Sequence, residues 1–250
     1  MIKDISSTKN EKYKFIKALK TKKERIKNQM FTVEGIKSVQ DAIDAGSDIV
    51  MLAVSDKLTE KFDFNEIYRI PDEIFSGLCD TETPQGVIAV LRMPRKKKIS
   101  LDDSLYLYCD RVSDPGNIGT IIRICDAVDC KLLLSPGCAD IYNPKTVRAS
   151  MGSFFHTEIT ENVSYTELFD AAKNGYKIIS GTLSDKTVDY NAPIYDGKKI
   201  IVVGNEANGI CGEITSKSDF CVKIPIFGRA ESLNVAVAAA LILYKAKEEK

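Results

Sequence analysis

Short hydrophobic segments alternate with helical segments from about residue 100 to the end of the chain. Each of the five hydrophobic segments is long enough for one buried strand, and they lie at 105–109, 131–134, 176–180, 199–203 and 220–224. Helical patterns separate and follow them, at about 118–128, 144–151, 165–174, 207–217 and 232–247. This alternation predicts a mostly parallel sheet that helices cover on both faces. We therefore expect an α/β domain at residues 100–250.

The residues before 94 predict a second, smaller α/β domain. Residues 10–28 have the periodicity of an amphipathic helix, with lysines on its polar side. A strand, a helix, a second strand, a short helix and a third strand are predicted at 30–35, 36–45, 49–54, 71–78 and 85–92. A proline and a run of basic residues follow, which is typical of a linker. The predicted organisation is a domain at 1–93, a basic linker at 94–99 and the larger domain at 100–250.

Positive charge is concentrated near the N-terminus of a chain whose formal net charge is zero. The first 30 residues contain ten basic and three acidic side chains, a local net charge of +7. A second basic cluster, Arg95 to Lys98, lies in the predicted linker. Such segregation points to a polyanionic partner, and the helix at 10–28 is then a phosphate-binding element. A helix that only exposes its lysines to solvent explains the same pattern.

Several classes of protein are excluded by what the sequence lacks. No apolar run reaches the roughly 18 residues of a membrane span, and the N-terminus lacks the apolar core of a signal peptide. The seven cysteines form no Cys-x-x-Cys pair and are odd in number, which indicates reduced thiols in a cytosolic protein. His156 is the only histidine, so two-histidine metal sites are excluded and no metal is expected. It lies in a strand-like run, 154–159, where we predict a structural role.

Three polar, glycine-containing segments begin where predicted strands end, at 110–123, 204–210 and 224–234. Ligands of α/β proteins bind beyond the carboxyl ends of the strands, so these segments predict a site. The Gly-x-Gly-x-x-Gly pattern of dinucleotide-binding proteins is absent. Gly204 and Gly209 have the glycine spacing of a P-loop, but the lysine that should follow is missing. A pocket lined by backbone suits a neutral purine and an amino-acid group better than a triphosphate.

The three segments together resemble motifs 1, 2 and 3 of the SpoU (TrmH-like) RNA ribose 2'-O-methyltransferases, in the SPOUT superfamily. The matching patterns occur in order as Asn117-x-Gly119-x-x-x-Arg123, then Gly204-Asn205-Glu206-x-x-Gly209, then Ile224-Pro225-Ile226 with Ser232-Leu233-Asn234-Val235. Residues 31–35 and 80–87 are similar to the ribosomal-protein-like substrate-binding domain of the same family.

This resemblance implies a trefoil knot in the C-terminal sheet, an obligate homodimer and S-adenosylmethionine as the cofactor. Residues expected to line the cofactor pocket by family analogy are Thr182, Gly204, Ile224 and Leu233. The polar catalytic site would consist of Asn117, Arg123, Glu206, Ser232 and Asn234. The expected reaction is methylation of a ribose 2'-hydroxyl in cytoplasmic ribosomal RNA. The last helix is apolar over 235–244, more than one sheet face covers, so a second helix or a second subunit is expected against it.

Other roles fit the same residues. Arg123 would bind the phosphate beside the target ribose, and either that phosphate or a transiently neutral Arg123 would accept the proton; alternatively it forms a structural ion pair. Asn117 and Ser232 are also candidates for helix N-caps, and Glu206 for a lysine partner. Arg148 and Ser150 are candidates for RNA contact or for helix packing.

Other functions remain open as well. A non-catalytic RNA-binding protein that keeps the fold is the principal alternative. A transfer-RNA or base methyltransferase of the same superfamily is a further one, and an enzyme that confers antibiotic resistance by methylating ribosomal RNA would have the same motifs.

Overall fold

The computed structural model describes residues 2–95, 99, 101, 104–183 and 187–249. The chain forms two compact units, and the first contains the residues up to Arg95 together with Asp140–His156. The second contains the rest of the described chain. Three of the four residues of the basic linker cluster, Lys96 to Lys98, lie outside the described residues.

The first unit has a five-stranded mixed sheet. Its strands are β1 (Ile2–Asp4), β2 (Met30–Glu34), β3 (Ile49–Ser55), β4 (Ile67–Ile70) and β5 (Val87–Arg92), in the order β1-β4-β3-β5-β2. Neighbours β1, β4 and β3 are parallel, whereas β5 is antiparallel to both β3 and β2. The helices of this part of the chain are α1 (Glu11–Ala18), α2 (Lys22–Asn28), α3 (Ile36–Asp44) and α4 (Asp72–Phe75), with a 3-10 turn at Ser76–Leu78.

Both faces of this sheet are buried, as β5 shows most clearly. Val87, Ala89 and Leu91 pack into one hydrophobic cluster, and the alternating residues Ile88 and Val90 pack into another on the opposite face. Successive side chains of a strand point to opposite faces, so one strand contributes to both cores. The apolar run at 85–92 therefore predicted this strand correctly.

The helix predicted at 10–28 is divided into α1 and α2. Asn10 caps the first, and its side chain accepts a hydrogen bond from the N–H of Lys12. Thr21 caps the second by accepting from the N–H of Glu24. A second cap inside the predicted helix ends its periodicity, because the cap residue has an extended backbone.

The segment 140–156 lies inside the larger domain in sequence but packs within the first unit. Its helix, α6 (Pro144–Ala149), buries Val147 against the cluster that contains Phe31 and Val33. The guanidinium of Arg25, only 2% exposed, donates to Asp140 at 2.7 Å. Long-range packing of this kind leaves no trace in local composition, so it could not be predicted from the sequence.

The strand-like run at 154–159 is a 3-10 turn, Ser153–Phe155, followed by β8 (Ile159–Glu161). His156 lies just after the turn, and its side chain is exposed. The prediction of a strand at this histidine was wrong. Phe154 and Phe155 supply the β-like pattern, but they pack against the hydrophobic cluster of the first unit instead of joining the sheet.

The second unit has a seven-stranded sheet in which every described pair of neighbours is parallel. The strands β6 (Leu105–Asp110), β7 (Lys131–Leu134), β8, β9 (Lys177–Gly181), β10 (Val188–Asp189), β11 (Lys199–Gly204) and β12 (Phe220–Lys223) have the order β10-β12-β9-β11-β6-β7-β8. The prediction of an α/β domain with a mostly parallel sheet is confirmed.

Helices cover both faces of this sheet. They are α5 (Pro115–Val128), α7 (Tyr165–Lys173), α8 (Gly212–Lys217) and α9 (Val235–Glu248). Leu168 of α7 and Ile214 of α8 pack against Tyr106 and Tyr108 of β6. On the other face α5 packs against α9, which also contacts β6, β9 and β11. In the described part of the chain, no helix is long and apolar enough to cross a membrane.

Candidate active site

The three polar segments lie at one edge of the parallel sheet. They follow the carboxyl ends of β6, β11 and β12, and β9 ends at the same edge. The order β12-β9-β11-β6 makes these four strands consecutive neighbours. Adjacent strands are about 4.8 Å apart, so their ends bring residues distant in sequence within reach of one another.

Glu206 connects the segment after β11 to the segment after β6. Its Oε2 accepts hydrogen bonds from the N–H and the hydroxyl of Ser113, at 3.2 and 3.1 Å. Its Oε1 accepts from the N–H of Asp114 at 3.2 Å and from the side-chain amide of Asn117 at 2.9 Å. Four donors therefore converge on one carboxylate, which holds the first turn of α5 against the turn that follows β11.

Asn117 extends this contact to the third segment. Its Oδ1 accepts a hydrogen bond from the side-chain amide of Asn234 at 2.9 Å. The Oδ1 of Asn234 in turn accepts from the N–H of Ala236 at 2.9 Å, and so caps α9. Glu206, Asn117 and Asn234 form a continuous hydrogen-bonded chain, which we call the polar triad. It joins all three predicted motifs.

The surroundings of Glu206 favour its charged form. Desolvation alone would raise the pKa of this carboxyl, but the donors from Asn117, Ser113 and Asp114 outweigh it and lower the pKa below its usual value. Glu206 is thus a carboxylate at neutral pH. In this form both carboxylate oxygens accept hydrogen bonds from the loop and first turn of α5.

A second network lies beneath the triad and centres on Asp110, the last residue of β6. Its fully buried carboxylate accepts from the Arg111 guanidinium at 2.8 and 2.9 Å, from the Tyr165 hydroxyl at 2.7 Å and from the N–H of Cys211 at 2.8 Å. Burial raises the pKa of Asp110, but these hydrogen bonds and the nearby guanidinium lower it overall. Asp110 thereby ties the end of β6 to the start of α8.

Arg111 completes this support. It adopts a left-handed backbone conformation, with φ of 55°, that few residues other than glycine occupy. In this conformation its carbonyl accepts a hydrogen bond from the side chain of Asn205 at 2.8 Å. Asn205 and Gly209 then pair as an isolated β-bridge, which closes the turn that carries Glu206. This bridge also explains why α8 begins at Gly212 and not at the predicted residue 207.

Arg123 and Ser232 are exposed and are not connected to the triad. Arg123 projects from α5, and within the described residues its side chain has neither a hydrogen bond nor an ion pair. Ser232 lies in an exposed loop before α9. An exposed guanidinium without a protein partner is suited to bind a phosphate group of a ligand.

The residues predicted to hold the cofactor follow three adjacent strands. Thr182 follows β9, Gly204 ends β11 and Ile224 follows β12, while Leu233 lies one residue before Asn234. Thr182 and Ile224 are half-buried, and Leu233 is exposed. A Cβ atom on Gly209 would meet nothing within 4 Å, so space is open beside the turn. The described residues contain no cluster of His, Cys, Asp or Glu that could hold a metal ion.

The structure corrects three of the alternative roles. Asp114, not Asn117, caps α5, and its side chain accepts from the N–H of Asn117 at 2.9 Å. Asn234, not Ser232, caps α9. Glu206 bonds to the backbone and side chains of α5 and its preceding loop, with no lysine partner among the described residues.

No role was predicted from the sequence for Asp110, Tyr165 or Asn205. One signal was present for Asp110, since it is the single charged residue of the strand Leu105–Asp110. A charge at the end of a buried strand must be paired. Tyr165 carried no such signal, because it meets Asp110 across 55 residues of sequence.

We predict that Glu206→Gln lowers stability by about 1 kcal/mol, because one oxygen that accepts hydrogen bonds becomes an amide that faces other donors. Because the pKa of Glu206 is lowered in the folded protein, its charge stabilises the fold at pH values above the ordinary glutamate pKa of about 4.3. This contribution is lost as the pH falls through the lowered pKa of the folded protein. Urea unfolding at a series of pH values measures the difference in the free energy of unfolding between wild type and variant. This difference should be constant above about pH 5 and should become smaller below it.

Glu213→Gln is the matched control, because Glu213 forms an exposed pair with Lys217 on α8. Exposed pairs contribute little, so this variant should unfold within about 0.5 kcal/mol of wild type at neutral pH. An equal loss in both variants would show that the hydrogen bonds to Glu206 do not stabilise the site.

Two protein-family models match parts of this chain. Residues 104–244 match the model of the SpoU rRNA Methylase family. Residues 10–89 match the MRM3-like substrate binding domain. All members of the polar triad lie inside the first match, and the lysines of α1 and α2 lie inside the second.

Relatives resemble the chain over nearly its whole length. It is 35% identical to the 23S rRNA (guanosine(2553)-2'-O)-methyltransferase of Bacillus subtilis over 247 residues, which are 97% of this chain and 98% of that protein. It is 33% identical over 194 residues to the 23S rRNA (uridine(2479)-2'-O)-methyltransferase of Streptomyces viridochromogenes, covering 74% of this chain and 68% of that one.

Solved structures agree with these relatives. The AdoMet-bound rRNA methyltransferase of Sinorhizobium meliloti superposes with a TM-score of 0.88 at 29% identity, covering 99% of this chain and 98% of that one. The SpoU methyltransferase AviRb of Streptomyces viridochromogenes, in complex with AdoMet, gives a TM-score of 0.83 at 27% identity, with coverage of 96% and 98%.

Proposed function

This chain belongs to the SpoU rRNA methylase family, and we propose that it uses S-adenosylmethionine to methylate a ribose 2'-hydroxyl in 23S ribosomal RNA. The observation that carries the proposal is the polar triad. Glu206, Asn117 and Asn234 come from three separate motifs and bond to one another at the edge of the sheet where ligands bind. A fold kept for RNA binding alone has no need of this convergence. The two similar 23S rRNA enzymes support the substrate class.

The residues around the strand ends fit the cofactor. Backbone and half-buried apolar groups after β9, β11 and β12 suit a purine, and open space lies beside the turn at Gly209. Thr182, Gly204, Ile224 and Leu233 would hold S-adenosylmethionine, which supplies a methyl group that is already activated as a sulfonium. Similar structures that contain AdoMet support this assignment.

The protein must therefore position and deprotonate the ribose hydroxyl. Arg123 would bind the phosphate beside the target ribose bidentately, since a guanidinium matches the geometry of phosphate oxygens. That phosphate, or Arg123 in a transiently neutral form, would accept the proton. The triad fixes the segments on either side, and Ser232 and Asn234 would orient the sugar.

The N-terminal domain would select the RNA. Six lysines of α1, α2 and their flanking residues are exposed: Lys9, Lys12, Lys14, Lys17, Lys22 and Lys23. Within the described residues, their ammonium groups form no hydrogen bond and no salt bridge. Such a surface attracts the RNA backbone. We propose a substrate-binding domain at 1–93, a linker at 94–99 and a catalytic domain at 100–250 as the functional division. Residues 140–156 belong to the catalytic domain in sequence but pack within the first unit.

The assembly we propose is a homodimer in the cytoplasm, where its ribosomal substrate is made. Its support is an exposed apolar stripe on α9, formed by Val237, Leu241 and Tyr244 at the spacing of one helix face. The proposed trefoil knot is supported by the position of β12 between β9 and β10.

Calorimetric titration of the purified protein with S-adenosylmethionine and S-adenosylhomocysteine tests the proposal. The titration should show one saturable site per subunit. The molecular mass of the protein in solution should be twice that of the 27.7 kDa chain. A protein that binds neither compound, alone or with 23S rRNA present, would be an RNA-binding protein and not a methyltransferase.

A further inference from the structure

An aromatic side chain stands free in solvent in the loop between β12 and α9. Phe227 is 97% exposed, the highest value among the large hydrophobic residues of the described chain. Every residue from 227 to 234 is exposed, so the ring has no apolar cover from its own loop. A phenylalanine held in water in this way forgoes the burial that normally stabilises it, which indicates that a ligand covers it.

A basic residue stands two positions further along the same loop. Arg229 is exposed, and within the described residues its guanidinium has neither a hydrogen bond nor an ion pair. Gly228 separates the two, and a Cβ atom there would meet nothing within 4 Å. The loop therefore exposes an apolar ring and a free cation two residues apart in sequence.

This loop belongs to the candidate active site. It starts just after β12, whose carboxyl end lies at the ligand-binding edge of the sheet, and it ends at Asn234 of the polar triad. Phe227 is seven residues before Asn234.

A nucleotide of RNA combines the two groups that the loop would recognise. Unpaired bases stack on aromatic rings whatever their sequence, and phosphates pair with guanidinium groups. A second copy of the chain would offer the ring the apolar stripe on α9, but would offer Arg229 only the single carboxylate of Glu248 at the end of that helix, whereas RNA offers a base and a phosphate at every nucleotide. The cation in the same loop as the ring therefore favours RNA over protein.

We propose that Phe227 stacks on an unpaired base at or beside the target nucleotide, while Arg229 binds the adjoining phosphate. This inference rests on the proposed function, and it makes the loop a determinant of which RNA is accepted. An unpaired base is required, because a base inside a duplex cannot offer its face to the ring. The target is thus expected in a loop or bulge of the RNA.

Substitution of Phe227 tests the inference on the full-length protein with 23S rRNA transcribed in vitro. RNA affinity is measured by filter binding with S-adenosylhomocysteine present, and the KM for RNA by methyl incorporation. Phe227→Ala should weaken RNA binding and raise this KM roughly five- to hundredfold. Phe227→Tyr keeps a stacking ring and should stay within about threefold of wild type. The affinity for S-adenosylmethionine and the dimer mass should not change in either variant.

Val188→Ala is the matched control, since Val188 is an exposed apolar residue on β10, an edge strand of the second unit that contributes nothing to the candidate site. It should leave the RNA affinity unchanged. The inference is overturned if Phe227→Ala binds RNA as wild type does. It is also overturned if that variant loses cofactor affinity in parallel, which would place the ring on the cofactor, or becomes monomeric, which would place it in the subunit interface.

The two proposals fail separately. If the wild-type protein transfers no methyl group to 23S rRNA but binds it, the proposed function fails. The RNA affinities of the Phe227 variants still decide the inference in that case.

Discussion

Arg123→Lys is expected to reduce the turnover number of methyl transfer at least about a hundredfold, while S-adenosylmethionine binds with nearly unchanged affinity. Arg123 is exposed on α5 and has no partner among the described residues, so its replacement removes no structural contact. Lysine keeps the charge but cannot bind a phosphate through two parallel N–H groups. The substitution should therefore slow the chemical step and weaken the binding of RNA, without destabilising the fold.

The measurement is single-turnover methylation with saturating cofactor, accompanied by calorimetric cofactor titration. Asp126→Asn is the matched control, because Asp126 is exposed three residues further along the same helix. It should retain activity within about threefold. Wild-type turnover in Arg123→Lys would remove Arg123 from the mechanism.

Gly204→Ala is expected to have the second largest effect, on cofactor binding. A Cβ atom at this position would lie 2.3 Å from the carbonyl carbon of Gly209 and 2.3 Å from the nitrogen of Ile210. Both are backbone atoms of the turn that carries Glu206, so relief requires the turn to move. Overpacking of this kind costs about 1–3 kcal/mol. We expect affinity for S-adenosylmethionine to fall at least about tenfold, because the displaced turn lines the proposed pocket.

Gly212→Ala provides the comparison, since a Cβ atom at Gly212 would meet nothing within 4 Å. Gly212 lies at the start of α8, where alanine is compatible with the helix and limits the freedom of the unfolded chain. This variant should bind cofactor as wild type does and unfold at the same or slightly higher temperature. If both alanine variants bind equally well, close approach of Gly204 to the turn does not shape the pocket.

The strands that build the site could be predicted because they are buried on both faces. Leu105–Asp110 and Lys199–Gly204 are almost entirely apolar, and such runs leave few other interpretations. The polar segments then follow directly from where those runs end. Within those segments, the resemblance to the family's three motifs then selected Asn117, Glu206 and Asn234 without any knowledge of their contacts.

The short edge strands could not be predicted. Ile2–Asp4 is fully exposed and three residues long, and Val188–Asp189 has only two exposed residues. Neither has room for an alternating pattern, and each is defined by pairing with a distant strand. Edge strands of this kind are a consequence of tertiary structure.

The start of α5 shows how local chemistry can mislead. Asp114, Pro115 and Gly116 are typical of a turn, and the sequence placed the helix start at residue 118. The structure begins the helix at Pro115, with Asp114 as its cap. Proline is favoured at the first helical position, where its missing N–H has no intrahelical partner anyway. This earlier start is what brings Asn117 onto the first turn, within reach of Glu206.

Locating the transferred methyl group tests the central proposal most directly. 23S rRNA transcribed without modifications is incubated with the protein and S-adenosylmethionine that carries a labelled methyl group, then digested to nucleosides for mass analysis. We predict one labelled methyl per RNA, on the ribose of a single nucleotide, and incorporation at least about a hundredfold slower with Arg123→Lys. A methyl group on a base, or no incorporation into 23S rRNA, would contradict the proposed function.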